Sequence, residues 1–249
     1  MNKIFFHPSP NFDGRPNFTE ISMIVVHHTE VDTERSLDLL TSSRSKVSSH
    51  YLIAKDGKII QLVEETKRAW HAGKSYWDGK ENINDCSIGI ELTNLGHEPF
   101  PLRQMKFFID LCKEIIERYA IKQKNIVGHS DVAPDRKIDP QSRFDWKVLH
   151  SHNIGLYPDI VEDSACRVLF SAELQSAQPQ QKSENFALIQ QQLREYGYNI
   201  AITGVFDDQS QHVIAAFKRH FRRKSGIYGN IVWDADDQKS LEQLLVLAK

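Results

Sequence analysis

The chain has 249 residues, enough for one or two domains with sizeable cores. Its 31 Lys and Arg against 33 Asp and Glu leave a formal net charge of -2, so no global basic field marks it for nucleic acid. The three cysteines, Cys86, Cys112 and Cys166, are an odd number without paired spacing and read as free thiols, not as a disulfide framework or a metal motif.

Residues 1–20 hold His7, Pro8, Pro10, Asp13, Arg15 and Pro16 and lack the apolar stretch of a secretory signal. No transmembrane segment is visible anywhere, which favours a cytoplasmic location; a periplasmic or cell-envelope one would follow from unconventional export or a trimmed chain. Met23-Ile24-Val25-Val26 reads as a buried strand closing on His27, with His28 facing the opposite side. Thr33 to Thr41 reads as a helix with Leu37 and Leu40 inward. Tyr51 to Ala54 and Lys58 to Gln61 flank Asp56-Gly57, a hairpin signal. Ser87 to Leu92 is a strand with Ile88, Ile90 and Leu92 on one face, which turns Glu91 to the other face with Ser87 and Gly89. Leu102 to Tyr119 is a helix carrying Leu102, Met105, Ile109, Cys112, Ile116 and Tyr119 at helical spacing. Asn125 to Gly128 is a short strand leading into His129, and its glycine allows close approach. The segment from Asp131 to Pro140 is a proline-bracketed loop containing Asp139.

This order predicts an α/β domain over residues 1–170, a mixed central sheet flanked by helices. Residues 171–184, rich in Ser, Gln and Ala, read as a linker. Residues 185–249 then show three apolar stripes: Phe186, Ile189, Leu193 and Tyr196; Val213, Phe217 and Phe221; and Leu241, Leu244, Leu245 and Leu247. They predict a small all-α, three-helix C-terminal domain, with Thr203 to Asp207 as a turn into its second helix. The basic run Lys218 to Lys224 reads as a solvated helix end.

His27, His129 and Asp139 stand where strand ends and a loop could converge. Two imidazoles and a carboxylate leave a fourth position open for water on a four-coordinate Zn²⁺, the arrangement of a hydrolytic site. Such a water needs a base and the resulting oxyanion a positive donor; Glu91 and Lys137 could supply them. An ion pair of Glu91 with Lys137 or Arg136, without chemistry, fits the spacing equally well. His50 reads as structural. Gly96-His97-Glu98 lacks the helix and second histidine of a metalloprotease motif, because Pro99 and Pro101 occupy their places.

Four separated segments carry a resemblance: Ile24 to Thr29, Ala69-Trp70-His71-Ala72-Gly73, Asn84 to Glu91, and Gly128 to Pro140. Together, from about residue 20 to Asp159, the chain resembles the type 2 zinc amidases, the N-acetylmuramoyl-L-alanine amidases of the AmpD/AmiD branch, related to peptidoglycan recognition proteins. The resemblance implies that His27, His129 and Asp139 bind Zn²⁺, that Glu91 and Lys137 are catalytic, and that the substrate is peptidoglycan or a muropeptide. Aspartate at 139, where the animal and phage branches typically have cysteine, agrees with the AmpD/AmiD branch. In that setting Trp70 is a cleft wall or core residue and His71 lines the groove or makes a structural hydrogen bond. Asn94 and Arg136 are candidates for contact with the stem peptide. Residues 186–247 resemble the three-helix peptidoglycan-binding domain attached to such amidases. The alternatives are a non-catalytic peptidoglycan-recognition module using the same groove, and a zinc peptidase acting on cross-links.

Overall fold

The computed structural model describes residues 3–161, 166–171, 183–222 and 231–249. Six strands build the main sheet: β1 (Ile4–Phe6), β3 (Met23–His28), β4 (Tyr51–Ile53), β5 (Ile59–Gln61), β9 (Ser87–Leu92) and β10 (Ile126–Gly128), in the order β1-β5-β4-β9-β3-β10. Only the β4–β5 hairpin is antiparallel; the other neighbours run parallel. Gly57 at φ +86° makes the hairpin turn expected from Asp56-Gly57, a conformation in which a Cβ would be strained. Two small antiparallel pairs flank the sheet, β2 (Phe12–Gly14) with β6 (Lys67–Ala69) and β7 (Tyr76–Trp77) with β8 (Lys80–Glu81). The strands β1 and β2 escaped the sequence reading because three-residue, solvent-exposed runs carry no alternation to read.

Alternation along β3 and β9 separates two cores. Ile24, Val26, Ile88, Ile90 and Leu92 pack with Met105, Phe108, Ile109, Leu111, Cys112 and Ile115 of α2 (Leu102–Tyr119). Leu102 was expected on that buried stripe but is 90% exposed, since the first helical residue lies beyond the packed surface. On the opposite face Met23 and Val25 join a different cluster, and His27 and Glu91 follow them towards the carboxyl ends of the strands. Helix α1 (Thr33–Thr41) starts where Asp32 accepts from the Arg35 N–H. Two short helices, α3 (His129–Val132) and α4 (Trp146–Ser151), follow β10.

The expected C-terminal helices are present as α5 (Glu184–Tyr196), α6 (Asp208–Phe221) and α7 (Ala235–Leu247). That region is not purely helical, however. Strand β11 (Val168–Ser171) pairs antiparallel with β12 (Val232–Asp234), joining segments too far apart and too short for the sequence to announce as a ribbon. Of the expected linker, residues 172–182 lie outside the described residues; Ser183 caps α5 by accepting from the Phe186 N–H. The two regions share one continuous core. Phe186, Leu193, Tyr196, Phe217 and Trp233 cluster with Met23, Val25, Trp77 and Val127 of the sheet region. Trp77, 1% exposed, meets the edges of Tyr196 and Tyr198 at centroid distances of 5.9 and 5.1 Å.

The basic run also differs from expectation. Lys218 and Arg222 are buried, not solvated. Helix α7 begins with Asp234 as its cap and Asp236 and Asp237 in its first turn, and this buried acidic end needs cations. Lys218 Nζ lies 3.1 Å from Asp234 and 2.6 Å from Asp237, and Arg222 lies 3.1 Å from each. Burial pushes the Asp237 carboxyl up to about 6 despite these partners. Lys218→Met, which keeps the stem but removes the charge, should lower the free energy of urea unfolding by about 3–5 kcal/mol. An unchanged midpoint would show that Arg222 alone neutralises the cluster.

Candidate functional site

Three parallel strands deliver the site. In register, His27 of β3 stands opposite Glu91 of β9, while Val26 pairs with Gly128 of β10, so His129 emerges beside His27 at the carboxyl ends of the strands. Asp139 returns on the following loop, tied to α3 by the Ser130 N–H donating to the Asp139 carbonyl at 2.9 Å. The Nδ1 atoms of His27 and His129 are 3.1 Å apart, and Asp139 Oδ2 lies 3.0 and 3.2 Å from them. All three side chains are largely buried.

The surroundings decide which ring nitrogens carry hydrogen. His129 Nε2 faces the Ala72 carbonyl at 3.2 Å, which can only accept, so the proton sits on Nε2. A relay does the same for His27. Ser87 Oγ donates to the Ile83 carbonyl at 2.6 Å, so it accepts from His71 Nε2 at 3.2 Å. That leaves His71 Nδ1 to accept from His27 Nε2 at 3.0 Å. Both Nδ1 atoms thus present lone pairs to the Asp139 carboxylate. Burial first, then the neighbouring His129, lowers the His27 pKa to about 4 and keeps its imidazole neutral. Burial works against an ionised Asp139, and only positive charge at the imidazole nitrogens, or a cation in its place, holds its pKa well below the ordinary value. Three such donors, 3.0–3.2 Å apart, repel unless a shared proton or a cation lies between them. Two imidazole nitrogens and a carboxylate this close together are a donor set that would hold a divalent ion such as Zn²⁺.

The cleft, about 390 Å³, is lined by His27, His129, Asp139, Glu91, Lys137 and Trp70, among others. Glu91 Oε2 is buried with no hydrogen-bond partner. Burial, reinforced by the charge of Asp139 and opposed by Lys137, pushes the Glu91 carboxyl up to about 8. Lys137 is half-buried at the same cleft.

The remaining candidates fall into different places. Trp70 forms part of the cleft wall. His71 also borders it but is buried, and both its nitrogens serve the relay behind His27. Asn94 does not reach the cleft. Fully buried, it accepts from Gly96 N–H at 2.7 Å and donates to the Glu98 carbonyl at 3.3 Å, closing its own turn. Arg136 borders the cleft, yet its Nε and Nη2 are committed to the Lys74 carbonyl at 3.1 and 2.6 Å, and Nη2 also bonds the Ala72 carbonyl. The guanidinium therefore braces the loop whose carbonyl orients His129. His50 is structural, accepting from Gly89 N–H on Nδ1. His28, expected to turn away, also lines the cleft; neither ring nitrogen makes a hydrogen bond, and Nε2 lies 3.9 Å from Glu30 Oε1. Sequence reasoning missed Ser87 and the Ala72 carbonyl. Ser87 shares the alternating face of Glu91 and could have been found; a backbone acceptor leaves no residue-type signal.

A family profile described as N-acetylmuramoyl-L-alanine amidase matches residues 17–142, and one for a peptidoglycan binding domain matches residues 182–235. The N-acetylmuramoyl-L-alanine amidase AmiD of Escherichia coli (strain K12) is 38% identical over 244 residues, which cover 92% of this chain and 83% of that protein. The 1,6-anhydro-N-acetylmuramyl-L-alanine amidase AmpD of Haemophilus influenzae is 38% identical over 158 residues, covering 56% of this chain and 86% of that protein. Among solved structures, the complex of the Escherichia coli AmiD with the substrate anhydro-N-acetylmuramic acid-L-Ala-D-gamma-Glu-L-Lys is similar with a TM-score of 0.73 and 34% identity. The match covers 93% of this chain and 92% of that one.

His71→Phe keeps a ring of similar size behind His27 but cannot accept its proton. Affinity for a divalent ion, measured by chelator competition, should fall by about 10–100-fold. Unchanged affinity would mean that His71 faces substrate and not the ligand.

Proposed function

The chain belongs to the N-acetylmuramoyl-L-alanine amidase family, and from that premise we propose that it is a Zn²⁺-dependent hydrolase of peptidoglycan. The bond cleaved is the amide joining the lactyl group of N-acetylmuramic acid, or its anhydro form, to L-alanine of the stem peptide. One observation carries this reading: two imidazole lone pairs and a carboxylate converge in one cleft with a glutamate whose Oε2 is buried without a hydrogen-bond partner.

His27, His129 and Asp139 would hold the ion. When bound, Zn²⁺ supplies Lewis acidity to the scissile carbonyl and lowers the pKa of water. Glu91 takes the proton of the attacking water on its carboxylate and returns it to the departing alanine nitrogen, so that the C–N bond breaks as an amine and a lactyl carboxylate form. A carboxyl whose buried position raises its pKa is suited to carry that proton between the two steps. Lys137 donates to the oxygen that becomes anionic in the tetrahedral intermediate. Trp70 offers a flat apolar wall to the substrate.

The amidase unit is assigned to residues 1–170 and the peptidoglycan-binding unit to 185–249, with 171–184 between them. The second unit favours intact polymer as a substrate alongside soluble fragments. No described helix is long and apolar enough to cross a membrane.

Glu91→Gln should abolish hydrolysis while leaving the zinc stoichiometry intact, as read by metal analysis of the purified variant. Lys137→Met should lower kcat by about 10²–10³-fold with zinc retained; loss of the metal instead would make Lys137 structural. Removing zinc with a chelator should stop the reaction and adding it back should restore it. Mass spectrometry of digests of sacculi and of purified anhydro-muropeptides should show free stem peptide and unsubstituted lactyl groups. Zinc binding without any cleavage would leave a recognition module, and peptide fragments without free lactyl groups would indicate a peptidase.

A further inference from the structure

One fully buried carboxylate takes no part in the chemistry above. Asp131 is the third residue of α3, two positions after His129. Its Oδ2 accepts from the Gly128 N–H at 2.7 Å, closing the turn that presents His129. The same oxygen accepts from His220 Nδ1 at 2.7 Å, and Oδ1 accepts from the Tyr198 hydroxyl at 2.8 Å. Tyr198 follows α5 and His220 lies in the last turn of α6, so two of the three donors come from the C-terminal region.

The joint is packed as well as bonded. The His220 ring is stacked between Trp146 and Phe221, with centroids 3.8 and 3.9 Å away. Trp146 also closes on Gly128, where a Cβ would meet Trp146 Cζ2 at 3.3 Å, Asp131 Oδ2 at 3.3 Å and Pro140 Cδ at 2.8 Å. Pro140 follows Asp139, whose carbonyl is held by the Ser130 N–H of α3. Two of the three metal-ligand candidates therefore hang on a segment whose buried charge is satisfied largely from the other region.

We propose that Tyr198 and His220 are positioning residues for the metal centre, acting through Asp131 on His129 and Asp139. The C-terminal region is then part of the scaffold of the catalytic site in addition to any contact it makes with the polymer. Without these donors the Asp131 carboxylate would keep a single N–H in a site closed to water. It could recover only by turning away, which releases the Gly128 N–H and loosens the turn carrying His129. Metal affinity depends on such preorganisation of the ligands. The inference rests on the metal reading of His27, His129 and Asp139.

The test uses the full chain with Tyr198→Phe, His220→Phe and the double substitution; phenylalanine keeps the ring at 198 and the stack at 220 while removing the donor. Zinc dissociation constants are measured by chelator competition, alongside the melting temperature of the zinc-free protein. The expected result is a loss of about 10-fold in zinc affinity for each single variant and more for the double, with KM at saturating zinc unchanged. Lys124→Ala serves as the control, because it removes a hydrogen bond across the inter-region surface to the Glu195 carbonyl at 3.4 Å, together with an ion pair to Asp78, without touching Asp131. Unchanged zinc affinity in Tyr198→Phe and His220→Phe overturns the proposal, and so does an equal loss in Lys124→Ala. If the unsubstituted chain binds no zinc, the metal reading itself fails and takes the inference with it. Should His220→Phe not fold, Tyr198→Phe alone still decides, since it deletes one hydroxyl.

Discussion

The parallel pairing of β3 with β9 on one side and β10 on the other places His27 opposite Glu91 and beside the exit of β10 into His129. Because side chains alternate along a strand, a one-residue slip would send His27 and Glu91 to the α2 face and bring Val26 and Ile90 to the cleft. The apolar residues opposing α2 hold this register. Ile24, Val26, Ile88, Ile90 and Leu92 have no exposed surface to lose, so the hydrophobic core fixes the chemistry on its far side.

Given that register, the second requirement is proton direction. Imidazoles can be donors or acceptors on either nitrogen, and a ligand triangle works only if the inward nitrogens are bare. Here the choice is made by acceptors that cannot donate, the Ala72 and Ile83 carbonyls, one directly and one through Ser87 and His71. Arg136 then pins the Ala72–Lys74 loop through its carbonyls, and Gly73, at φ +57°, leaves room for the guanidinium against the backbone. A cation that looks in sequence like a handle for an anionic substrate also braces the loop that orients His129.

The third element is the continuity of the core between the regions. Trp77, Tyr196, Tyr198 and Phe221 form one aromatic cluster across the boundary, and Asp131 is embedded where they meet. Burying a carboxylate is costly unless its lone pairs are filled, and Tyr198 and His220 fill those of Asp131 from the C-terminal region.

Much was legible from residues alone. The strand closing on His27, the Asp56-Gly57 hairpin, the helices Thr33–Thr41 and Leu102–Tyr119, and the three C-terminal stripes all follow from local periodicity and turn chemistry, which depend on near neighbours. So do the ligand candidates, because His27, His129 and Asp139 each sit at an element end that a strand or loop must deliver somewhere. What stayed hidden depends on partners distant in the chain. Leu102 faces solvent, Asn94 closes a loop, Lys218 and Arg222 enter a carboxylate cluster, and β11 finds β12 across about sixty residues of sequence. Residue type and spacing determined which chemistry this chain carries, since periodicity and motif are local properties. Only the tertiary structure decided which polar groups meet substrate and which serve the scaffold, because a donor's role is set by the acceptor it faces, and that acceptor is often a backbone carbonyl with no signature in the sequence.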